Sequence, residues 1–353
     1  MRAVRFYGPQ DVRVDFVAEP TCGAGQVKVR PAFVGICGTD VHEYLAGPIL
    51  TPIKPHPLTQ EHNPVTLGHE FSGEVTEIGE GVAGAKVGDR VAVLPILYDG
   101  TCDACLRGYI NCCERLGAFG FTGWGGGLSE SVVVPRSHIY LLPDQISLEL
   151  GALIEPLSVA WHAVKSSPFN PGDSVLILGG GPIGISIIQV LKAQNAGHII
   201  VSELSTERQA LCTQFGANHV IDPREVDVVS KSYELCGGHG VDVVFDSAGV
   251  QSALDSGFRA LRTGGTVVNI ASWGGPVTIN VMAMMVEEKK YMAVMTYVRR
   301  DFEEVIEAVA KGLLKPDRMI TSRIKLEDVV ERGFKELIEH KDKHLKILVE
   351  TAL

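Results

Sequence analysis

The chain has no excess of basic residues: 32 lysines and arginines stand against 42 acidic residues, a formal net charge of −10 at pH 7. A phosphate-binding surface needs a basic face, so this balance argues against nucleic acid as a partner. An unbroken apolar run of membrane-spanning length is also missing. The most apolar stretch, Ser174 to Ala193, is divided by the turn GGGPIG into a short strand and the start of a helix. The opening segment MRAVRFYGPQDVRV carries no apolar core of signal-peptide length behind its charges. These absences lead us to expect a cytoplasmic protein with no membrane partner. Internal repeats and low-complexity tracts are lacking too. In a reducing compartment, clustered cysteines are metal ligands or catalytic groups more often than disulfides. Of the eight cysteines, Cys102, Cys105 and Cys113 fall close together, whereas Cys22, Cys212 and Cys236 are scattered and read as packing or surface thiols.

What is present suits two domains, since 353 residues are many for a single core. The first ~150 residues hold short alternating runs such as QVKVRPAFV, GEVTEI and DRVAVL between tight turns, the texture of a β-rich unit. Gly47 to Pro64 carries five prolines and reads as a long surface loop. From Gly151 onward VLILGGG, HIIVSEL, HVIDP, VDVVFDSAG and TVVNIAS alternate with helical or turn sequence. Continuous apolar strands of that kind indicate a parallel sheet covered on both faces. A helical pattern, DFEEVIEAVAKG, then stops at Gly312, and a KILVE strand closes the chain. The expected division is 1–150 with 286–353 in one domain and 151–285 in a doubly wound nucleotide-binding domain.

Gly179, Gly181 and Gly184 form G-x-G-x-x-G directly after the strand VLIL, with Pro182 and Ile183 opening the helix that follows. Glycines there let the backbone turn tightly and approach a pyrophosphate, whose charge then sits on the helix N-terminus. Glu203 ends the next strand, nineteen residues past Gly184. A carboxylate at that place accepts hydrogen bonds from ribose hydroxyls and repels a 2′-phosphate, which favours NAD over NADP. Arg208 is spaced poorly for a phosphate clamp and remains a cofactor-contact candidate. The bland alternative is a structural glycine turn beside a surface glutamate.

Two donor sets suggest zinc. Asp99, Cys102, Cys105 and Cys113 have the spacing of a closed, tetrahedral structural site, with carboxylate as the rarer ligand and Cys112 as a spare thiol. The competing reading is a loop of free thiols. The second set is discontinuous: GICGTDVHEY offers Cys37, LGHEFSGEV offers His69, and IEPLSVAWHA offers Glu155. A catalytic zinc takes three protein ligands and keeps one position open. Taken singly, each of these residues is more often a buried cysteine, a core histidine or a helix-start glutamate. Tyr297, Arg299 and Arg300 are candidates for a site edge, equally readable as a solvated basic turn, and His138, His340 and His344 read as surface residues.

GICGTD, GHEFSGEV, VGDRV, the cysteine loop, EPLSVAWHAV and LGGGPIG, in this order over essentially the whole chain, resemble the zinc-containing medium-chain dehydrogenase/reductase family. The resemblance implies an α/β protein in which a GroES-like β-rich catalytic domain is joined to a Rossmann domain, with the active site in the cleft between them. It implies Cys37 and His69 as catalytic zinc ligands, Thr39 as acceptor of the substrate proton, and His42 as its relay to solvent. Glu155, where simple alcohol dehydrogenases carry cysteine, is similar to the polyol and butanediol branch. There Glu155 is favoured as third ligand, with Glu70 its alternate or neighbour. HEYLAGPI, the loop around His56 and DFEEVIEAV are similar to (R,R)-type butanediol dehydrogenases. The implied reaction is hydride transfer between NAD and a secondary alcohol or its ketone, by a homodimer or homotetramer. Sorbitol- or xylitol-type oxidation is the alternative, and a non-catalytic NAD-binding relative is a further one.

Overall fold

The structure, a computed structural model, describes residues 1–351. It divides into two compact units. The first comprises Met1–Glu155, Val298–Gly312 and Pro316–Leu353, and the second Pro156–Tyr297 with Leu313–Lys315.

The first unit is built on a largely antiparallel, seven-stranded sheet. Its central strand, Gln26–Gly35, pairs antiparallel with Glu70–Ile78 on one side and with Lys346–Glu350 on the other. Alternation explains its burial: Val27, Val29 and Val34 are fully covered and pack with Phe71, Val75, Val91, Val132, Ile347 and Val349. A smaller three-stranded sheet forms from Arg2–Gly8, Asp11–Phe16 and Val65–Thr66. Between these elements, residues 47–64 contain no helix or strand, as their prolines require.

The second unit is a six-stranded sheet, every neighbouring pair parallel. From one edge the strands run His219–Ile221, His198–Ser202, Ser174–Leu178, Val241–Asp246, Leu261–Asn269 and Lys290–Ala293. Numbered within the unit this is the order 3-2-1-4-5-6 of dinucleotide-binding sheets, with the first crossover direction reversing beside Ser174–Leu178. The unit runs on past residue 285, because the short strand Lys290–Ala293 joins the sheet edge beside Leu261–Asn269. The chain passes into the helix Arg299–Ala310, which Gly312 follows at φ +69°. Among the described residues no helix is long and apolar enough to cross a membrane.

One histidine departs from expectation. His138 is 8% exposed, its Nε2 lies 3.2 Å from the Ile96 carbonyl and its Nδ1 3.1 Å from Ser137 Oγ. It is therefore an interior residue, with the neutral ring satisfied at both nitrogens. Burial, reinforced by the Arg299 guanidinium, lowers its pKa to about 4. The unfolded chain takes up a proton near pH ~6.5 and the native state does not until pH falls much further, so stability declines as pH drops through that window. The loss amounts to about 3 kcal/mol at most. His138→Gln, which keeps a donor for Ile96, should show a smaller fall in unfolding midpoint than the wild type between about pH 7.5 and about pH 5. Equal falls would remove His138 as the cause. Asp99, held at about 2 by the Cys102 and Thr101 amides, titrates only at lower pH.

Candidate active site and metal centres

Three strand ends and one helix start meet at the first donor set. The central strand leaves its sheet after Gly35, and Cys37 becomes the N-cap of the helix Gly38–Ala46. Asp40 closes that turn by accepting the Cys37 N–H at 2.9 Å. Gly68, at φ +95°, swings the chain so that His69 precedes the strand Glu70–Ile78. The ligand atoms of Cys37, His69 and Glu70 all lie within 4.8 Å of one another. One ion with bonds of roughly 2.0–2.3 Å can span a group of that size. His69 is 7% exposed, with its ring 4.7 Å from that of Phe121. Its Nδ1 faces Asp40 Oδ1 at 3.4 Å, which leaves Nε2 as the nitrogen for a metal. Burial works against the imidazolium, but Asp40 and Cys37 outweigh it and hold the His69 pKa well above its ordinary value. Asp40 Oδ1 and His69 Nδ1 have no other hydrogen-bond partner, so each is left to the other and the ring is oriented with Nε2 toward the Cys37 and Glu70 donors.

Glu70 is pinned. Lys346, which opens the last strand, donates to Glu70 Oε1 at 2.8 Å and Oε2 at 2.6 Å and to the Ile36 carbonyl at 3.2 Å. A Cβ on Gly35 would sit 2.1 Å from Glu70 Oε2, so only glycine lets the carboxylate lie there. Glu155 lies in the first turn of the helix Ile154–Ser166, 8% exposed, and its charge acts on Lys346. It stands outside the three-residue group that contains Glu70. Thr39 Oγ1 lies 3.6 Å from Cys37 Sγ, and His42, exposed, follows three residues later on the same helix face. Asp40, Gly35, Phe121 and Lys346 escaped the sequence reading. A lysine opening an otherwise apolar strand was the available signal for the last.

The second donor set also converges, with Asp99, Cys102, Cys105 and Cys113 within the same 4.8 Å limit. Cys102 Sγ and Cys113 Sγ are 3.9 Å apart, near the ~3.8 Å edge of a tetrahedron with ~2.3 Å zinc–sulfur bonds. Cys113 Sγ accepts the Asp99 and Arg115 N–H groups at 3.4 and 3.3 Å, which orients the sulfur toward the group. Asp99 Oδ1 accepts the Thr101 and Cys102 N–H groups at 2.7 and 2.9 Å. Burial and the neighbouring Cys102 push the Cys105 thiol up to about 12, so three thiolates are poorly tolerated here until a cation joins them. The residues fit a divalent ion.

At the glycine turn Gly179 adopts φ +93°, and a Cβ on Gly184 would lie 2.0 Å from the Gly179 carbonyl oxygen. These are the tight-turn and close-packing roles such glycines fill. Gly181 is the N-cap and Pro182 the first residue of the helix Pro182–Ala193, with Ile183 in its first turn. Glu203 accepts the Gly180 N–H at 2.6 Å and the Ser205 N–H at 2.8 Å, so its carboxylate is oriented beside the turn. The fold also brings Arg208 to the turn, where a Cβ on Gly181 would lie 3.8 Å from its Nη1. Glu203→Ala should shift the NADP-to-NAD ratio of kcat/KM toward NADP by roughly tenfold or more. An unchanged ratio would remove Glu203 from the ribose site.

A parallel dinucleotide sheet in one unit and a buried S, N, O donor set in the other define a nucleotide-linked metal oxidoreductase. Residues 182–311 match the zinc-binding dehydrogenase family and residues 23–144 the alcohol dehydrogenase GroES-like domain. The (R,R)-butanediol dehydrogenase of Bacillus subtilis (strain 168) is 42% identical over 351 residues, covering 99% of each chain. The crystal structure of 2R,3R-butanediol dehydrogenase from Bacillus subtilis matches with a TM-score of 0.93 at 41% identity over 99% of each chain. A sorbitol dehydrogenase of Bacillus subtilis (strain 168) is 31% identical over 354 residues, covering 99% of this chain and 97% of the relative. The chain belongs to the zinc-binding, medium-chain dehydrogenase family, whose members pair a GroES-like catalytic domain with a Rossmann domain.

Proposed function

We propose that the protein interconverts a vicinal diol, 2,3-butanediol in the first instance, with its acyloin, acetoin, using zinc and NAD. The Cys37–His69–Glu70 group carries this reading, with the butanediol dehydrogenase relatives supplying the substrate. Bound zinc supplies the Lewis acidity that makes an alcohol hydroxyl a better acid, and bound NAD accepts hydride. Cys37, His69 and a carboxylate, Glu155 with Glu70 as its alternate, hold the metal. Asp40 orients His69 through Nδ1. Thr39 Oγ1 takes the hydroxyl proton and His42 passes it to solvent, a reading supported by Thr39 lying beside Cys37 and by the exposure of His42. Glu203 and Arg208 with the glycine turn hold the dinucleotide. Asp99, Cys102, Cys105 and Cys113 hold a second, structural zinc.

The sorbitol dehydrogenase relative keeps a polyol reading in play. Steady-state rates on the 2,3-butanediol stereoisomers, acetoin, sorbitol and xylitol separate the two, and a clear preference for sorbitol would sink the diol assignment. Cysteines gathered into metal-ligand sets rather than disulfides suit a reducing compartment, which supports a cytoplasmic enzyme. Val281, Met282, Met285 and Val286, 64–73% exposed near the edge strand Lys290–Ala293, support a homodimer or homotetramer. Sedimentation as a 38.0 kDa monomer at working concentration would overturn that assembly.

A further inference from the structure

Ser247 takes no part in the chemistry above, yet it touches the turn assigned to the dinucleotide. The switch in strand order falls between Ser174–Leu178 and Val241–Asp246, where a dinucleotide crosses such a sheet. Gly179 and Gly180 lead the chain out of the first of these strands. Gly179 adopts φ +93°, and a Cβ on Gly180 would lie 2.5 Å from the buried Cys212 Sγ. Two successive glycines give the peptide between them little preference of its own, so its orientation has to be set from outside.

Side chains hold both ends of that peptide. Its N–H, on Gly180, donates at 2.6 Å to Oε2 of Glu203, just past the strand His198–Ser202. Its carbonyl, on Gly179, accepts at 3.2 Å from Oγ of Ser247, just past the strand Val241–Asp246. These two strands flank Ser174–Leu178 on opposite sides. The same hydroxyl donates to the Leu178 carbonyl at 2.9 Å, and the Ser247 N–H reaches that oxygen at 3.1 Å. Ser247 is fixed in turn by its neighbour. Asp246 pairs with Leu178 in register and is fully buried. Its Oδ1 accepts the Ala248 and Gly249 N–H groups at 3.0 and 3.1 Å, and its backbone carbonyl accepts those of Ile270 and Ala271 at 2.9 and 3.0 Å. Among the described residues Asp246 Oδ2 finds no hydrogen-bond partner. A buried carboxylate with one bare oxygen costs stability, so its use lies in the turn that it closes around Ser247.

We propose that Ser247 is a positioning residue that, opposite Glu203, clamps the Gly179–Gly180 peptide and so pre-organises the glycine turn for the cofactor's pyrophosphate. This rests on the NAD reading and deepens it. Glu203 by itself holds only the N–H end of the peptide. Without the Ser247 hydroxyl the peptide can rotate, and the turn populates courses that do not receive a pyrophosphate. Apparent cofactor affinity then falls with the fraction of molecules that keep the competent turn.

The test compares Ser247→Ala with Ser247→Thr, which keeps a hydroxyl. For each, NADH affinity, hydrogen exchange at the Gly180 amide, the thermal midpoint, zinc content and steady-state rates are measured. Ser247→Ala should weaken NADH binding and raise KM for NAD by roughly five- to tenfold, with kcat changed far less and zinc content unchanged. Exchange at Gly180 should quicken in the cofactor-free protein and return to the wild-type rate when NADH saturates it. Ser247→Thr should keep most of the wild-type affinity. A lowered thermal midpoint with unchanged NADH affinity would make the hydroxyl merely structural and overturn the proposal. An equal loss of affinity in both variants, or unchanged exchange at Gly180, would overturn it too. If the wild-type protein binds NADPH in place of NADH, the cofactor assignment fails by itself, and the same comparison made with NADPH judges Ser247.

Discussion

Cys37→Ser and His69→Ala should each lower kcat/KM for the diol by on the order of a thousandfold or more, while NADH affinity stays within about twofold. The loss is large because the metal position needs all its donors at once. A serine hydroxyl is a far weaker zinc ligand than a thiolate, and without imidazole the set loses its only nitrogen. Nucleotide binding is expected to survive because the residues proposed for it, the Gly179–Gly184 turn, Glu203 and Arg208, belong to the second unit. Cys37→Ser is the cleaner of the two. Replacing His69 also removes the ring that packs on Phe121, so part of its effect would be structural. Metal analysis alongside fluorescence titration with NADH gives the decisive pair of measurements. Loss of zinc with NADH binding retained is the expected pattern. Collapse of NADH binding in Cys37→Ser would mean that the ligand supports the fold, and the division of labour described above would be wrong.

The nucleotide half was readable from sequence for a physical reason. Its strands are continuous apolar runs separated by turn signals, and its site is local, so Gly179 to Glu203 lie within one strand–helix–strand unit. The Asp99–Cys113 loop was readable on the same grounds. Legibility ended where contacts are long in sequence. Lys346 and Glu70 are 276 residues apart, and no local pattern announces that they touch. The end of the nucleotide unit was missed because Lys290–Ala293 is a short edge strand, only partly buried, whose residues lack the apolar run of the inner strands. His138 was misjudged because its burial is conferred by Phe119, Ile96 and the Arg299 cluster, all from other elements. The choice between Glu70 and Glu155 belongs to the same class, since it turns on the grouping of Glu70 with Cys37 and His69 and on Lys346, all contacts between distant elements.

That lysine gives the second large effect. Lys346 is 2% exposed and Glu70 1%, so this is a pair of full charges removed from water. In the zinc-free protein Lys346→Met should destabilise the fold by about 3–5 kcal/mol, because it leaves Glu70 buried without its cation. Glu70→Gln should cost a similar amount for the opposite reason, stranding the ammonium. The double variant Lys346→Met/Glu70→Gln removes both charges, and its loss should fall well short of the sum of the singles. A simple additive result would show that the two side chains contribute to packing and not to charge balance. The pair also bears on the metal. In the single variant Lys346→Met the Glu70 carboxylate is released from a two-oxygen grip, 2.8 and 2.6 Å, within the same group as Cys37 and His69. If Lys346 is what reserves the third ligand position for Glu155, then Glu155→Ala should lose zinc in the wild-type background and regain part of its zinc affinity when Lys346→Met is added. Equal zinc affinity for Glu155→Ala with and without Lys346→Met would mean that the lysine has no say in the choice of carboxylate.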